Sequence, residues 1–114
     1  MATSTGSGTL GTGYTGAGTG GSMIIYKKAG CVELICDLNK ASGGTVTYNE
    51  TIFTINSGFR PKVIHQVPAI VRNTSTAGTS WALVTINTNG TIVVNNIGTS
   101  GLNQINFTVM YIVD

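Results

Sequence analysis

Residues 80–95 decide the fold class: Ser80-Trp81-Ala82-Leu83-Val84-Thr85-Ile86-Asn87-Thr88-Asn89-Gly90-Thr91-Ile92-Val93-Val94-Asn95. Two β-branched, apolar runs, Ser80 to Asn87 and Thr91 to Asn95, flank an Asn-Gly pair. That arrangement is the strongest short-range hairpin signal a sequence carries, because Gly accepts the positive φ a tight turn requires. Toward the C-terminus, Gln104 to Val113 alternates: Ile105, Phe107, Val109, Tyr111 and Val113 share one face, and Met110 and Ile112 lie on the other. A period of two is the signature of a strand. Toward the N-terminus, Val63 to Asn73 is a β-like run interrupted by Pro68, which cannot donate to a ladder and belongs at an edge or bulge. Ser57-Gly58 closes the unit before it. Thr45 to Tyr48 and Thr51 to Ile55 read as two short strands or one bulged strand, entered through a Gly43-Gly44 turn. Cys31 to Leu38 sets Val32, Leu34, Cys36 and Leu38 against Glu33 and Asp37, and Met23 to Tyr26 forms a short apolar strand. No window carries a 3.6-residue period. Seven or so antiparallel strands at this spacing predict an all-β sandwich or small barrel.

Residues 1–21 differ in kind from 22–114. Eight of the sixteen glycines fall there among Thr and Ser, with Leu10 and Tyr14 as the large apolar side chains. By composition this is a Gly/Thr/Ser-rich arm preceding a β head domain. Ordering about twenty residues costs ~20–40 kcal/mol of backbone entropy, and burying Leu10 and Tyr14 returns only ~1.5–3 kcal/mol each. The arm therefore orders only against a sheet edge, a sister subunit or another protein, and Leu10 and Tyr14 are its expected anchoring residues. The segment Gly11-Thr12-Gly13-Tyr14-Thr15-Gly16 matches Gly-x-Gly-x-x-Gly, but it follows no strand and opens no helix, so it is not a nucleotide-binding turn.

Composition narrows the function classes. Charged residues make up 9% of the chain and the formal net charge is +2; a typical domain is about a quarter charged. So few charges leave a surface poorly protected against association. Lys27, Lys28, Lys40, Arg60, Lys62 and Arg72 are scattered, without the clustered footprint that nucleic acid requires. No apolar run reaches the ~18 residues of a membrane helix, and no secretory signal pattern opens the chain, so synthesis in a cytoplasm is expected. Cys31 and Cys36 lie on one strand, ~16 Å apart, too far for a disulfide; with His65 as the single histidine no zinc set forms. No metal or cofactor is expected.

Catalysis has little to work with. Glu33 and Asp37 are four residues apart on one strand face, ~13 Å, beyond the ~6.5–9.5 Å of an inverting glycosidase pair. His65 has no Gly-x-Ser-x-Gly elbow to serve; it reads as a hydrogen-bonded structural residue or a ligand contact. The single Trp81 is expected in the core, with stacking on a sugar ring as the alternative. Arg60 and Arg72 suit bidentate contacts to carboxylates or inter-subunit carbonyls.

Ser57-Gly58-Phe59-Arg60-Pro61-Lys62 begins a longer pattern. An apolar strand (63–72), a small loop, an aromatic-bearing strand and the Ile86-Asn87-Thr88-Asn89-Gly90-Thr91-Ile92 hairpin follow it, with a closing strand ending near Tyr111-Ile112-Val113. Residues 23–28 with Ala29-Gly30 form an opening hairpin. This succession over 22–114 resembles the C-terminal head domains of phage tail-fibre and baseplate receptor-binding proteins. The resemblance implies a homotrimeric, jelly-roll-like head in a virion that binds host cell-wall saccharide, with Trp81, His65 and Asn73 as candidate ligand contacts and Arg60, Arg72, Phe107 and Tyr111 as inter-subunit or structural residues. The chain departs from that pattern in having only the Gly/Thr arm before the head, which opens a second reading: a capsid head fibre or decoration protein docked on other virion proteins through the arm. Both readings are non-enzymatic.

Overall fold

The computed structural model describes residues 4–5, 7–16, 22–41, 44–73 and 78–113. The remainder of the arm, Gly43 of the Gly43-Gly44 turn and the tip of the 73–79 loop lie outside the described residues. Among the described residues there are ten strands: β1 (Ser4–Thr5), β2 (Gly8–Leu10), β3 (Tyr14–Gly16), β4 (Ser22–Lys28), β5 (Cys31–Lys40), β6 (Thr51–Ile55), β7 (His65–Arg72), β8 (Thr79–Ile86), β9 (Thr91–Ile97) and β10 (Gln104–Ile112). No helix occurs among the described residues. The fold is all-β, a single antiparallel sheet in the order β1-β4-β5-β10-β7-β8-β9-β6-β2.

The two margins of that order, β1 and β2, are neighbours in sequence. Ser4 and Thr5 pair with Lys27 and Tyr26 of β4, while Gly8, Thr9 and Leu10 pair with Ile55, Thr54 and Phe53 of β6. One short segment thus touches both margins, and the sheet closes almost completely into a barrel-like or sandwich fold. The chain then turns and lays Tyr14, Thr15 and Gly16 opposite Lys40, Asn39 and Leu38 of β5, on the same edge that β4 continues from Ser22 opposite Asp37. The sheet edge that the arm needs belongs to its own chain.

The alternation read from sequence governs the core. Val32, Leu34, Cys36 and Leu38 of β5 point inward, with Val67, Ala69 and Val71 of β7, Ala82, Val84 and Ile86 of β8, and Ile105, Phe107 and Tyr111 of β10. In β6 a register shift between Thr51 and Phe53 buries the consecutive Ile52 and Phe53, as an extra residue in one strand does. The expected strand at Thr45–Tyr48 is absent. That segment bridges the sheet instead: Val46 N–H donates to the Leu102 carbonyl at 2.8 Å and Asn49 N–H to the Val94 carbonyl at 2.6 Å, so the loop's backbone bonds are spent on two different elements and Val46 still reaches the core.

Pro68 lies on β7, which is interior to the strand order, yet its setting is a local edge. The β7–β10 ladder runs only from Ile70 to Arg72 opposite Asn106 to Gln104, and the strands part beyond it. Asn73 N–H donates to the Gly78 carbonyl, and alternation from there makes Pro68–Leu83 a non-hydrogen-bonded pair with the proline nitrogen directed to the β10 side. The missing donor falls where no ladder exists.

Two turns carry the positive φ values that matter. The β8–β9 hairpin keeps Thr88-Asn89-Gly90 as a three-residue loop, with Gly90 N–H bonded to the Asn87 carbonyl and positive φ at Gly90 (92°), a turn followed by a glycine bulge. The β4–β5 hairpin has a two-residue turn with φ 54° at Ala29 and 75° at Gly30, a geometry dominated by Asn-Gly. Ala29 bears the left-handed conformation at ~1–2 kcal/mol and is exposed. Ala29→Asn should raise the unfolding free energy by ~0.5–1 kcal/mol, read as a higher urea midpoint at unchanged slope. Gly11 behaves in the opposite sense: a Cβ there would lie 2.0 Å from the Thr51 carbonyl oxygen. Gly11→Ala should cost ~1–3 kcal/mol, with faster amide exchange concentrated in residues 7–16.

Candidate functional site

The best-defined polar cluster among the described residues binds the arm to the body. Tyr14 is buried at 4% exposure, and its hydroxyl donates to Glu50 Oε1 at 2.6 Å. Lys40 Nζ pairs with Glu50 Oε2, sits 4.6 Å from the Tyr14 ring centroid and reaches the Thr12 carbonyl at 3.5 Å. Ala41 N–H donates to the Gly13 carbonyl at 2.7 Å. Burial pushes the Glu50 carboxyl up, but the hydrogen bonds from Lys40 and Tyr14, the Lys40 charge and the Thr47 N–H outweigh it, and the pKa falls below its ordinary value. Burial first, then the bond to Glu50, holds the Tyr14 hydroxyl protonated and donating. The fold commits Glu50 to an ion pair.

The other acidic groups are dispersed. Asp37 accepts from Gln104 Nε2 at 2.7 Å, and Glu33 and Asp37 stay on one strand, two residue pairs apart along the β4 ladder's outer row. No group of three or more His, Cys, Asp and Glu that could hold a metal occurs among the described residues. Cys31 and Cys36 are free thiols, and burial raises the pKa of Cys36, which packs as a small hydrophobe.

Trp81 corrects the expectation of a core tryptophan: it is 54% exposed, opposite Ile70, itself 50% exposed, on β7. The indole is seated against Gly98, where a Cβ would lie 2.4 Å from Nε1, and Gly98 N–H donates to the Trp81 carbonyl at 2.8 Å. The ring is thus a pinned, half-open apolar surface. Asn73 lies at the same end of the β7–β8 hairpin, just past the Arg72–Thr79 pair. His65 lies at the other end, opposite Ile86, five residues or ~16 Å from Ile70. It is half-buried, its ring 5.8 Å from that of Tyr111. Trp81 and Asn73 share one end of the hairpin, and His65 does not join them.

Of the residues read as inter-subunit or structural, Phe107 and Tyr111 are buried within their own chain at 7% and 3% exposure and belong to its core. The Tyr111 hydroxyl donates to the Phe59 carbonyl at 2.5 Å, tying the 56–64 loop to β10, and burial raises its pKa. Arg60 Nε donates to the Ile55 carbonyl at 2.7 Å within its own chain. Arg72 is exposed, and its carbonyl accepts from Asn103 N–H at 3.2 Å. Leu10 is partly open at the β2 margin.

The outward side of β10 carries what a residue-by-residue search for polar chemistry misses. Met110, Ile112, Val63 and Ile64 are each more than 60% exposed, and Tyr26 is 41% exposed. Tyr26 and Met110 border one depression with Cys31 and Glu33; Met110 and Ile112 border the next with Val63 and His65. The off-phase Met110 and Ile112 in an otherwise alternating strand were the available signal. No family model and no curated protein matches the chain.

Glu50 sets a pH dependence. A carboxyl whose pKa is lower folded than unfolded stabilises the fold above its ordinary value of 4.5, and that contribution disappears as pH falls through the lower, folded value. Urea midpoints followed from pH 6 to pH 3 should fall for the native chain and fall less for Glu50→Gln, while Tyr14→Phe should cost ~1–3 kcal/mol at pH 7 by removing a hydrogen bond to a charged group.

Proposed function

We propose that this protein is a non-catalytic virion structural subunit that works as a homotrimer and presents Trp81 to a host-surface saccharide. The observation that carries self-association is the run of large apolar side chains on one side of the body, Tyr26, Met110, Ile112 and Val63. Contiguous exposed apolar surface on a soluble chain marks a contact face, and with 9% charged residues little on this exterior opposes docking. The polar groups that might have served chemistry are committed elsewhere: Glu50 to Lys40 and Tyr14, Asp37 to Gln104. Saccharide attachment draws on a different feature. An indole held in place by Gly98 offers a flat apolar face with a donor at its rim, the pairing of properties that suits Trp to half-wet recognition surfaces. Asn73 supplies an amide at the same hairpin end.

The second reading, a decoration subunit docked on a capsid through its arm, requires a shell protein to replace pairing that a sheet of this fold supplies. Residues 7–16 already spend their backbone pairing and Tyr14 on the chain's own sheet.

The mass in solution should be three times 11.8 kDa, and Met110→Glu combined with Ile112→Glu should reduce it to one copy with the circular dichroism of the strands retained. A native chain that stays monomeric at micromolar concentration overturns the proposal of self-association. Separately, Trp81→Ala should abolish saturable binding to purified host cell-wall saccharide without changing the mass; equal binding by the variant removes Trp81 from recognition.

A further inference from the structure

We propose that the closing segment is exchangeable between copies: residues 4–16 of one copy seat against β4, β6 and β5 of a second, and place Tyr14 in the second copy's Lys40–Glu50 cradle. The inference rests on the self-association proposed above and names how the copies are joined.

The first observation is how lightly the segment is held. Its ladder pairing amounts to two residues on β4, three on β6 and three on β5, supplemented by isolated hydrogen bonds at Ser7, Gly11, Thr12 and Gly13. Of its side chains, among the described residues, only Tyr14 is buried. A margin with few apolar contacts opens at a small fraction of the free energy of global unfolding. Release bares strand edges and leaves Glu50 and Lys40 without the tyrosine, and bare edges with unpaired N–H and C=O groups recruit another strand.

The second observation identifies the strand. A Cβ at position 8 would lie 2.1 Å from the Thr54 carbonyl oxygen, and one at position 11 would lie 2.0 Å from that of Thr51. The occupant must therefore carry glycine at two positions three apart and, three residues further on, a tyrosine whose hydroxyl reaches Glu50. Residues 8–14 of another copy meet that requirement by construction, and the contacts made in trans are those made in cis. Exchange of an identical element is a low-cost route to association.

The third observation is the tether. Gly16 lies opposite Leu38 and Ser22 opposite Asp37, successive residues of one strand, so a single step of ~3.3 Å would join them. The sequence places Ala17-Gly18-Thr19-Gly20-Gly21 between them, and six steps reach up to ~20 Å. With equal contacts in both arrangements, concentration and tether reach decide between closure within one copy and closure between two.

Thr9 and Thr54 are directly opposite, in a hydrogen-bonded pair whose ~5.5 Å Cα separation falls within disulfide range. The test is a Thr9→Cys, Thr54→Cys full chain on a Cys31→Ser background, prepared in isotopically light and heavy forms, refolded together and oxidised. Exchange predicts cross-linked peptides joining light to heavy chains, and covalent oligomers on a non-reducing gel. Cross-links confined within single copies, in a protein whose mass is that of an oligomer, overturn exchange and leave self-association standing. The same cross-links in a monomeric protein overturn both. The pair Ser7→Cys, Asn56→Cys, at positions whose side chains are hydrogen-bonded at 2.9 Å, gives the same readout should the first pair fail to oxidise.

Discussion

Backbone pairing by a few residues near the N-terminus holds the sheet shut. β1 pairs with one margin and β2 with the other, and between them runs one winding path of strands, with β3 alone laid beside β5 off that path. A sheet with free margins is a template for further pairing; a closed one has no such template on that side. The closure is built almost without apolar side chains. Hydrogen bonds supply the attraction, Gly8 and Gly11 supply room for the close approach to the Thr54 and Thr51 carbonyls, and the Tyr14–Glu50–Lys40 cluster supplies one fixed point. Low-complexity composition here answers a packing requirement, since any larger residue at these glycines meets backbone.

Strands, faces and the long hairpin were legible because each depends on local period. The inward set Val32, Leu34, Cys36, Leu38 and the outward set Met110, Ile112 follow directly from alternation, and Gly90 marks its turn wherever the flanking strands go. What the sequence did not disclose depends on who lies beside whom. Val46 reaches the core from a loop, not a strand, because the backbone partners of its segment are Leu102, for Val46, and Val94, for Asn49, both far along the chain. Trp81 is outside because its phase in β8, between inward Ala82 and the strand's open end, is set by the pairing with Ile70. The arm reads as a linker by composition, since nothing in a Gly/Thr run announces that its partners are residues 26–27, 38–40 and 53–55 of the same chain.

The candidate surfaces were legible to a smaller degree. Trp81 and Asn73 were singled out by residue type and share a hairpin end; His65, chosen on the same ground, sits at the other end and leans on Tyr111. Phe107 and Tyr111 look like contact residues in a list of aromatics, yet the period of β10 turns them inward and leaves Met110 and Ile112 as the outward pair. Exposure in a strand is a matter of phase, and one residue's shift exchanges core for contact face.

The position of the closing strand also orders events during synthesis. Residues 4–16 leave the ribosome ahead of their partners: β4 follows within some twenty residues, Lys40 next, and Glu50 with β6 only after residue 55 has emerged. N-terminal units ordinarily fold first as a chain is made. Here an early segment cannot complete its pairing until residue 55 has emerged, and its near-absence of large apolar residues leaves little surface on which a nascent chain aggregates.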